Sequence, residues 1–294
     1  MKRRLIVILL IVIMAGRTAE TGVFRGIAYD EPWNVSATAE AATEVTVKSE
    51  KELIKTLYQT LLSRENEIVI KYSIKDYRID LEDLINKIHA IDSKETAKDN
   101  DYLKLSLETW GYSGTIIGNK TTLNFVFTYK TTLKEEKAVD KKVKSVLEEL
   151  ELEEATDYEK VKAIHDYIIN LVSYDNQLLK ASAYNALIEQ SAVCEGYSML
   201  AYLMFAQVGL ESRIVAGSGN GIPHSWNIVK VDDLWYNIDL TWDDPISSTG
   251  EPMLVYDYFL KSSKDFKGHR RYVEYTTKKF EKAYPITKTS YVME

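Results

Sequence analysis

Three residue types that together make a reactive thiol stand in the second half of this 294-residue sequence. Cys194, the chain's one cysteine, lies in Ser191-Ala192-Val193-Cys194-Glu195-Gly196-Tyr197-Ser198. His224 follows thirty residues later in His224-Ser225-Trp226-Asn227, and Asp239 fifteen after that in Trp235-Tyr236-Asn237-Ile238-Asp239-Leu240-Thr241-Trp242-Asp243-Asp244-Pro245. Thiol, imidazole and carboxylate are the parts of a nucleophile, its base and the group that orients the base. In such a set His224 takes the proton of Cys194 and returns it to a leaving amine, while Asp239 holds the ring and stabilises its charged form.

The set works only if the chain brings the three together. A helix is predicted to begin at or near Cys194, with Tyr197, Leu200, Ala201, Met204, Phe205 and Val208 at steps of three and four, and to stop at Gly209. A helix start carries partial positive charge and unsatisfied N–H groups. It favours a thiolate and offers donors to an oxyanion. Strands are predicted over 213–216, 224–231 and 234–241, the last two joined near Asp232-Asp233. If Lys230 faces Asp233, His224 faces Asp239 directly. If Val231 faces Leu234, His224 faces Thr241, and Asp239 is a diagonal neighbour on the same face. A three-residue turn would put the two on opposite faces. Val229, Val231, Ile238 and Leu240 fall in the other parity class and suit a core. Tyr184, Asn185 and Gln190 are candidates for a further oxyanion donor, and Trp226 and Trp242 for shielding the site. Gly217-Ser218-Gly219-Asn220-Gly221 lacks the lysine and helix of a phosphate loop and is read as a mobile loop before His224.

These blocks, in this order and spacing, resemble the transglutaminase-like superfamily, the papain-related group with Cys, His and Asp in that order. Gly209-Leu210, Gly217 and Asp257-Tyr258-Phe259-Leu260 fit the same pattern, and the resemblance runs from about Tyr158 to Ser263. It implies an α+β fold in which a cysteine-bearing helix packs on an antiparallel sheet bearing His and Asp. It also implies acyl chemistry through a thioester, in the manner of a transglutaminase or a cysteine peptidase. It leaves the acceptor open and does not imply calcium. A module that keeps the fold, binds envelope protein or polymer and has lost catalysis is the alternative. A structural protein with a buried cysteine is the third reading.

The rest of the chain must carry this domain. Residues 45–132 are predicted to form a small α+β domain. A helix is capped by Ser49 and Glu52, a strand runs over 67–74, a second helix over 80–91, and paired strands flank Gly118-Asn119. His89 is read as structural. The transglutaminase-like domain is placed at 133–294 with its core at 157–263. It opens with a charged helix from Leu133 to Glu154, followed by a helix capped by Thr156 and Glu159 in which His165 and Asp166 pack or cap. Residues 20–44 read as a linker.

Composition bounds partners and address. With 45% hydrophobic and 28% charged residues the chain is a folded protein. A net charge of -7 and the lack of a zinc-finger or RNA-binding signature argue against nucleic acid. One cysteine and four scattered histidines (His89, His165, His224, His269) offer no zinc spacing, so neither metal nor cofactor is expected. Met1-Lys2-Arg3-Arg4, the 11-residue apolar run from Leu5 to Ala15, and the small residues Ala15, Gly16 and Ala19 read as a signal peptide over 1–19. An uncleaved anchor is the alternative. The expected address is secreted or envelope-associated, with a protein or peptide substrate. Cell-wall and envelope components are further candidate partners, and the membrane enters only through the N-terminal segment. The basic tail from Lys261 is compatible with anionic polymers but is read first as a solvated face.

Overall fold

A computed structural model of the chain describes residues 21–27, 42–72, 80–118, 120–245 and 253–292. The expected signal peptide over 1–19 lies outside them. The expected linker over 20–44 does not stay irregular where it is described, because Thr21–Ile27 forms a strand, β1. Among the described residues no helix is long and apolar enough to cross a membrane.

Two compact units divide the chain, one running to Asp92 and including Ser106–Lys130, the other comprising Ser93–Leu105 and everything from Thr131. In the first, β1, β2 (Thr43–Val47), β3 (Glu67–Tyr72), β4 (Leu107–Ile117) and β5 (Lys120–Tyr129) form one sheet in the order β1-β4-β5-β3-β2. All pairs are antiparallel except β2 with β3. Ile68, Ile70 and Tyr72 alternate into the core with Phe125 and Phe127, under Leu53, Leu57 and Leu61 of α1 (Glu50–Leu62) and Leu84 and Ile88 of α2 (Leu81–His89). Ser49 Oγ accepts the Glu52 N–H as expected, but the Glu52 carboxylate takes the N–H of Lys48, so the cap is half a box.

Ser93–Leu105, placed by the sequence in the N-terminal domain, packs within the second unit. The reason is charge pairing. Asp101 of α3 (Asn100–Ser106) receives the Arg213 guanidinium in a two-pronged contact of 2.6 and 2.8 Å, and also the Ile214 N–H. Lys98 binds Glu136 at 2.7 Å.

In the second unit two capping boxes, Thr132 with Glu135 and Thr156 with Glu159, open α4 (Leu133–Glu149) and α5 (Asp157–Leu171). The charged helix thus ends five residues earlier than its acidic run suggested. Next come β6 (Ser173–Tyr174), α6 (Ala183–Leu187), β7 (Ser191–Ala192) and α7 (Cys194–Gln207). The antiparallel sheet is β8 (Ser212–Gly219), β9 (Ile222–Val231), β10 (Leu234–Ile238) and β11 (His269–Arg271), in the order β10-β9-β8-β11.

Helix α7 is the centre of this unit. Every residue from Gly196 to Phe205 is buried, so the helix is enclosed rather than faced on one side. It packs on β8 and β9 and against α4, α5 and α6. Its fully buried Leu200, Leu203, Met204 and Phe205 each contribute about 1.5–3 kcal/mol of apolar burial. Gly209, at φ +82°, ends it, and the Leu210 N–H reaches back to the Phe205 carbonyl. Val229, Val231, Ile238 and Leu240 join this core as the parity argument requires. The opposite sheet face, with Val215, Trp226, Ile228 and Trp235, is covered by Phe266, Tyr275 and Phe280. The basic tail is therefore a packed layer. Its lysines and arginines flank aromatic anchors.

The stretch Gly217 to Gly221 is not a loop. It is the end of β8 and a two-residue turn, Asn220-Gly221, with φ of +49° and +85°. Gly196 shows how tightly α7 is seated, since a Cβ there would lie 2.5 Å from the Ala192 Cβ and 2.9 Å from the Ser182 carbonyl oxygen. Gly196→Ala is expected to cost about 1–3 kcal/mol through overpacking, read as a lowered midpoint in urea unfolding. An unchanged midpoint would contradict this seating.

Candidate active site

The lead-in to Cys194 is fixed by backbone bonds. β6 and β7 pair in parallel, Tyr174 beside Ala192. The Asp175 N–H donates to the Ala192 carbonyl and the Val193 N–H to that of Lys180. The Asp175 carboxylate gathers the N–H groups of Leu179, Gln177 and Lys180, and these bonds, Leu179 first, hold it below the usual carboxylate range. Val193 is the N-cap and supplies no side-chain cap, so the positive end of α7 is left to Cys194, its first residue. Cys194 is half-buried and free.

The β9–β10 hairpin places the other two. Val231 faces Leu234 across a turn in which Asp232 and Asp233 have φ of +49° and +63°. This is the second of the two registers considered, in which Asp239 is diagonal to His224. The His224 Nε2 lies 2.7 Å from Asp239 Oδ2. Cys194 is near enough to the same ring to favour its charged form. Burial works against the charged ring, but the bond to Asp239 and the nearness of Cys194 outweigh it and raise its pKa to about 10.

Asp239 is 1% exposed. Its Oδ1 accepts the N–H groups of Thr241 and Trp242 at 3.0 and 3.3 Å, and its Oδ2 meets His224 and also His269 Nε2 at 2.8 Å. Burial opposes its charge, yet the two histidines prevail and its pKa is lowered. The ring of Trp242 lies 5.4 Å from that of His224 at 30°, and the ring of Trp226 lies 6.1 Å away at 27°. Both tryptophans enclose the imidazole. Gly219 makes the room, as a Cβ there would lie 2.7 Å from Trp242 and 3.2 Å from the His224 ring.

The oxyanion candidates fare differently. Tyr184 packs half-buried against the core. Gln190 is exposed at φ +53°, its carbonyl taking the Ser173 N–H. Asn185 is spent in the cap of α6, its Oδ1 accepting from Ser182. Two residues were missed. Tyr174 stands by the thiol: burial first, then the charges of Cys194, Asp175 and Asp239, push its phenol up. Its signal was its place three residues past α5, on the strand that pairs with the Cys194 lead-in. His269 reaches Asp239 only through the β8–β11 pairing, and no local pattern announces it.

The four histidines are therefore not all scattered. His224, Asp239 and His269 offer three ligand atoms within 4.8 Å of one another, the types that hold a metal. Their contacts of 2.7 and 2.8 Å are those of charge-assisted hydrogen bonds. Ligands around tetrahedral zinc stand roughly 3.3 Å apart. His165 packs as expected, buried between Asp166 at 3.0 Å and Asp243 at 3.2 Å. Asp243-Asp244-Pro245 is a turn, with Asp243 accepting the Tyr258 N–H and Asp244 bonded to the Tyr197 hydroxyl.

Comparison with known proteins adds one family. Residues 144–240, about a third of the chain, match the model of the transglutaminase-like superfamily, and the matched stretch includes Cys194, His224 and Asp239. No curated protein matches. Among solved structures the chain is similar to that of a TGase, at 19% identity and TM-score 0.35, covering 62% of this chain and 56% of that one. It is also similar to "a putative cysteine protease" from Cytophaga hutchinsonii, at 16% identity and TM-score 0.31, covering 46% of this chain and 58% of that one. The chain thus spans less than two thirds of either.

The pH behaviour of the pair follows from the signs. His224's raised pKa contributes stability that is whole below its unfolded value near 6.5 and is lost as pH rises through about 10. Asp239's lowered pKa contributes stability present above 3.8 and lost as pH falls through its folded value. In Asp239→Asn the His224 ring is expected to titrate at least about one pH unit lower than in the wild type, followed by the Cε1–H proton resonance. Coincident titration curves would show that Asp239 does not hold the ring's charge.

Proposed function

We propose that this chain, whose residues 144–240 match the model of the transglutaminase-like superfamily, is an exported thiol enzyme acting on amide groups of proteins or peptides. The single observation that supports this reading is the His224 ring, bonded at Nε2 to the buried Asp239 at 2.7 Å and held in its charged form also by Cys194 at the start of α7. With a His224 pKa of about 10, the ring is an imidazolium at neutral pH, and its proton is ready for a leaving amine.

The Cys194 sulfur attacks the amide carbon, and N–H groups at the start of α7 receive the oxyanion. The C–N bond breaks as His224 gives its proton to the amine, which leaves a thioester on Cys194. An acceptor amine or water, losing its proton to His224, then attacks the thioester and releases the thiolate. Trp226 and Trp242 enclose the ring and keep bulk water from its bond to Asp239. The basic and apolar residues over 1–15 favour export, which places the substrate outside the cytoplasm, on a secreted protein or in the cell envelope.

The test is incubation with a peptide library and a primary-amine donor, with products read by mass. Incorporation of the amine with loss of ammonia marks transfer, and conversion of amide to acid marks hydrolysis. Either is expected to fall by roughly three orders of magnitude or more in Cys194→Ala. If no product depends on Cys194, the enzyme reading is wrong, and binding of envelope material by Cys194→Ala would then favour a non-catalytic module.

A further inference from the structure

We infer that His269 is a positioning residue of this site, fixing the Asp239 carboxylate so that it holds the His224 imidazolium toward Cys194. The inference rests on the reading of those three residues as one catalytic set.

His269 opens β11 and pairs with Gly219 of β8. Its side chain is 1% exposed. The Nδ1 lies 3.0 Å from the Lys267 carbonyl oxygen, and the Nε2 lies 2.8 Å from Asp239 Oδ2. A carbonyl oxygen only accepts, and so does an ionised carboxylate. Asp239 is held ionised by its histidine partners. The Nε2 of His269 must therefore be the donor to Oδ2. Two imidazole N–H groups then converge on Oδ2, while two backbone N–H groups occupy Oδ1.

Packing keeps the His269 ring from turning. Phe266 stacks on it at 3.9 Å and 28°, Trp242 lies at 4.2 Å, and Trp226 meets it edge-on at 4.9 Å. The titratable groups that face it are Asp239, His224 and the Tyr258 phenol, with ring centroids of His224 and Tyr258 each 5.4 Å away. Tyr258 and Trp242 stack edge-to-face beside it at 4.9 Å. The device is directional. The backbone donors hold one carboxylate oxygen, and His269 is the side chain that shares the other with His224. Removing it leaves Oδ2 with His224 as its one remaining partner, so that the angle at which Oδ2 meets the His224 ring is no longer fixed from a second side.

The test compares wild type, His269→Ala, His269→Gln and Asp239→Asn for the rate of Cys194 alkylation by iodoacetamide across pH, alongside thermal unfolding. Alkylation reads the thiolate without needing a substrate. In His269→Ala the neutral-pH rate is expected to fall about tenfold or more, with the acid limb moved to higher pH toward that of Asp239→Asn. His269→Gln, which keeps an N–H donor of similar reach, is expected to recover most of the loss. In the wild type, the Nε2 of His269 is expected to carry a proton by nitrogen NMR, a readout that does not depend on any variant folding.

A His269 ring without a proton on Nε2 would overturn the inference. So would wild-type alkylation in folded His269→Ala, equal losses in Ala and Gln with equally lowered unfolding temperatures, or one bound metal ion per chain that His269→Ala loses. These outcomes are separable from failure of the functional reading. That failure would appear as wild-type alkylation no faster than a free thiol's and insensitive to His224→Ala.

Discussion

A carboxylate taken almost wholly out of water must have its lone pairs met by fixed donors, or it gives up its charge. Asp239 is that group, and much of the second unit can be read as the means of supplying its donors. The turn after β10 brings the N–H groups of Thr241 and Trp242 to one oxygen. The hairpin register brings His224, and the far edge of the sheet brings His269. The turn itself is pinned from beneath, because Asp243 sits between His165 of α5 and the Tyr258 N–H. A charge at the site is thus paid for by order in three separate segments.

The thiol is tied to the same frame through the motif that carries the histidine. Ser225 and Asn227 sit in the parity class that faces α7, and both bind Ser198, one turn in from Cys194. The Ser225 and Ser198 hydroxyls lie 3.1 Å apart, and Asn227 Nδ2 donates to the Ser198 carbonyl at 3.0 Å. The spacing between helix start and strand is therefore set by polar contacts in a buried layer, where a lost partner is costly. Below that turn Tyr197 bonds Asp244, so α7 is joined both to the His224 strand and to the turn that follows Asp239.

What the sequence made legible was local or periodic. The helix from Cys194 to Gly209 follows from apolar spacing and a glycine stop. The hairpin follows from a two-residue aspartate turn, which makes His224 and Asp239 share a face by arithmetic alone. Other features depended on residues far apart. His269 reaches Asp239 because a three-residue strand pairs with an edge fifty positions earlier, too short a segment to show a period. Gly217 and Gly219 suggested looseness, whereas indole rings occupy the space where their side chains would stand. The tail's charge hid Tyr275 and Phe280, which bury against the sheet. Residues 93–105 left their expected domain because Asp101 answers Arg213, a pairing that no composition shift marks.

The order of strands in the sheet differs from their order in the chain. β11, the last made, closes the edge of β8, the first of the four. A ribosome adds the intervening fifty residues over several seconds, at about 5–20 residues per second. For that time β8 has an unpaired row of backbone groups, and strands in that condition join to others like them. The chain's vulnerable period thus falls between the emergence of its thiol and the arrival of its C-terminal edge strand. A partner that keeps nascent segments extended, such as a chaperone, would act most usefully in that interval.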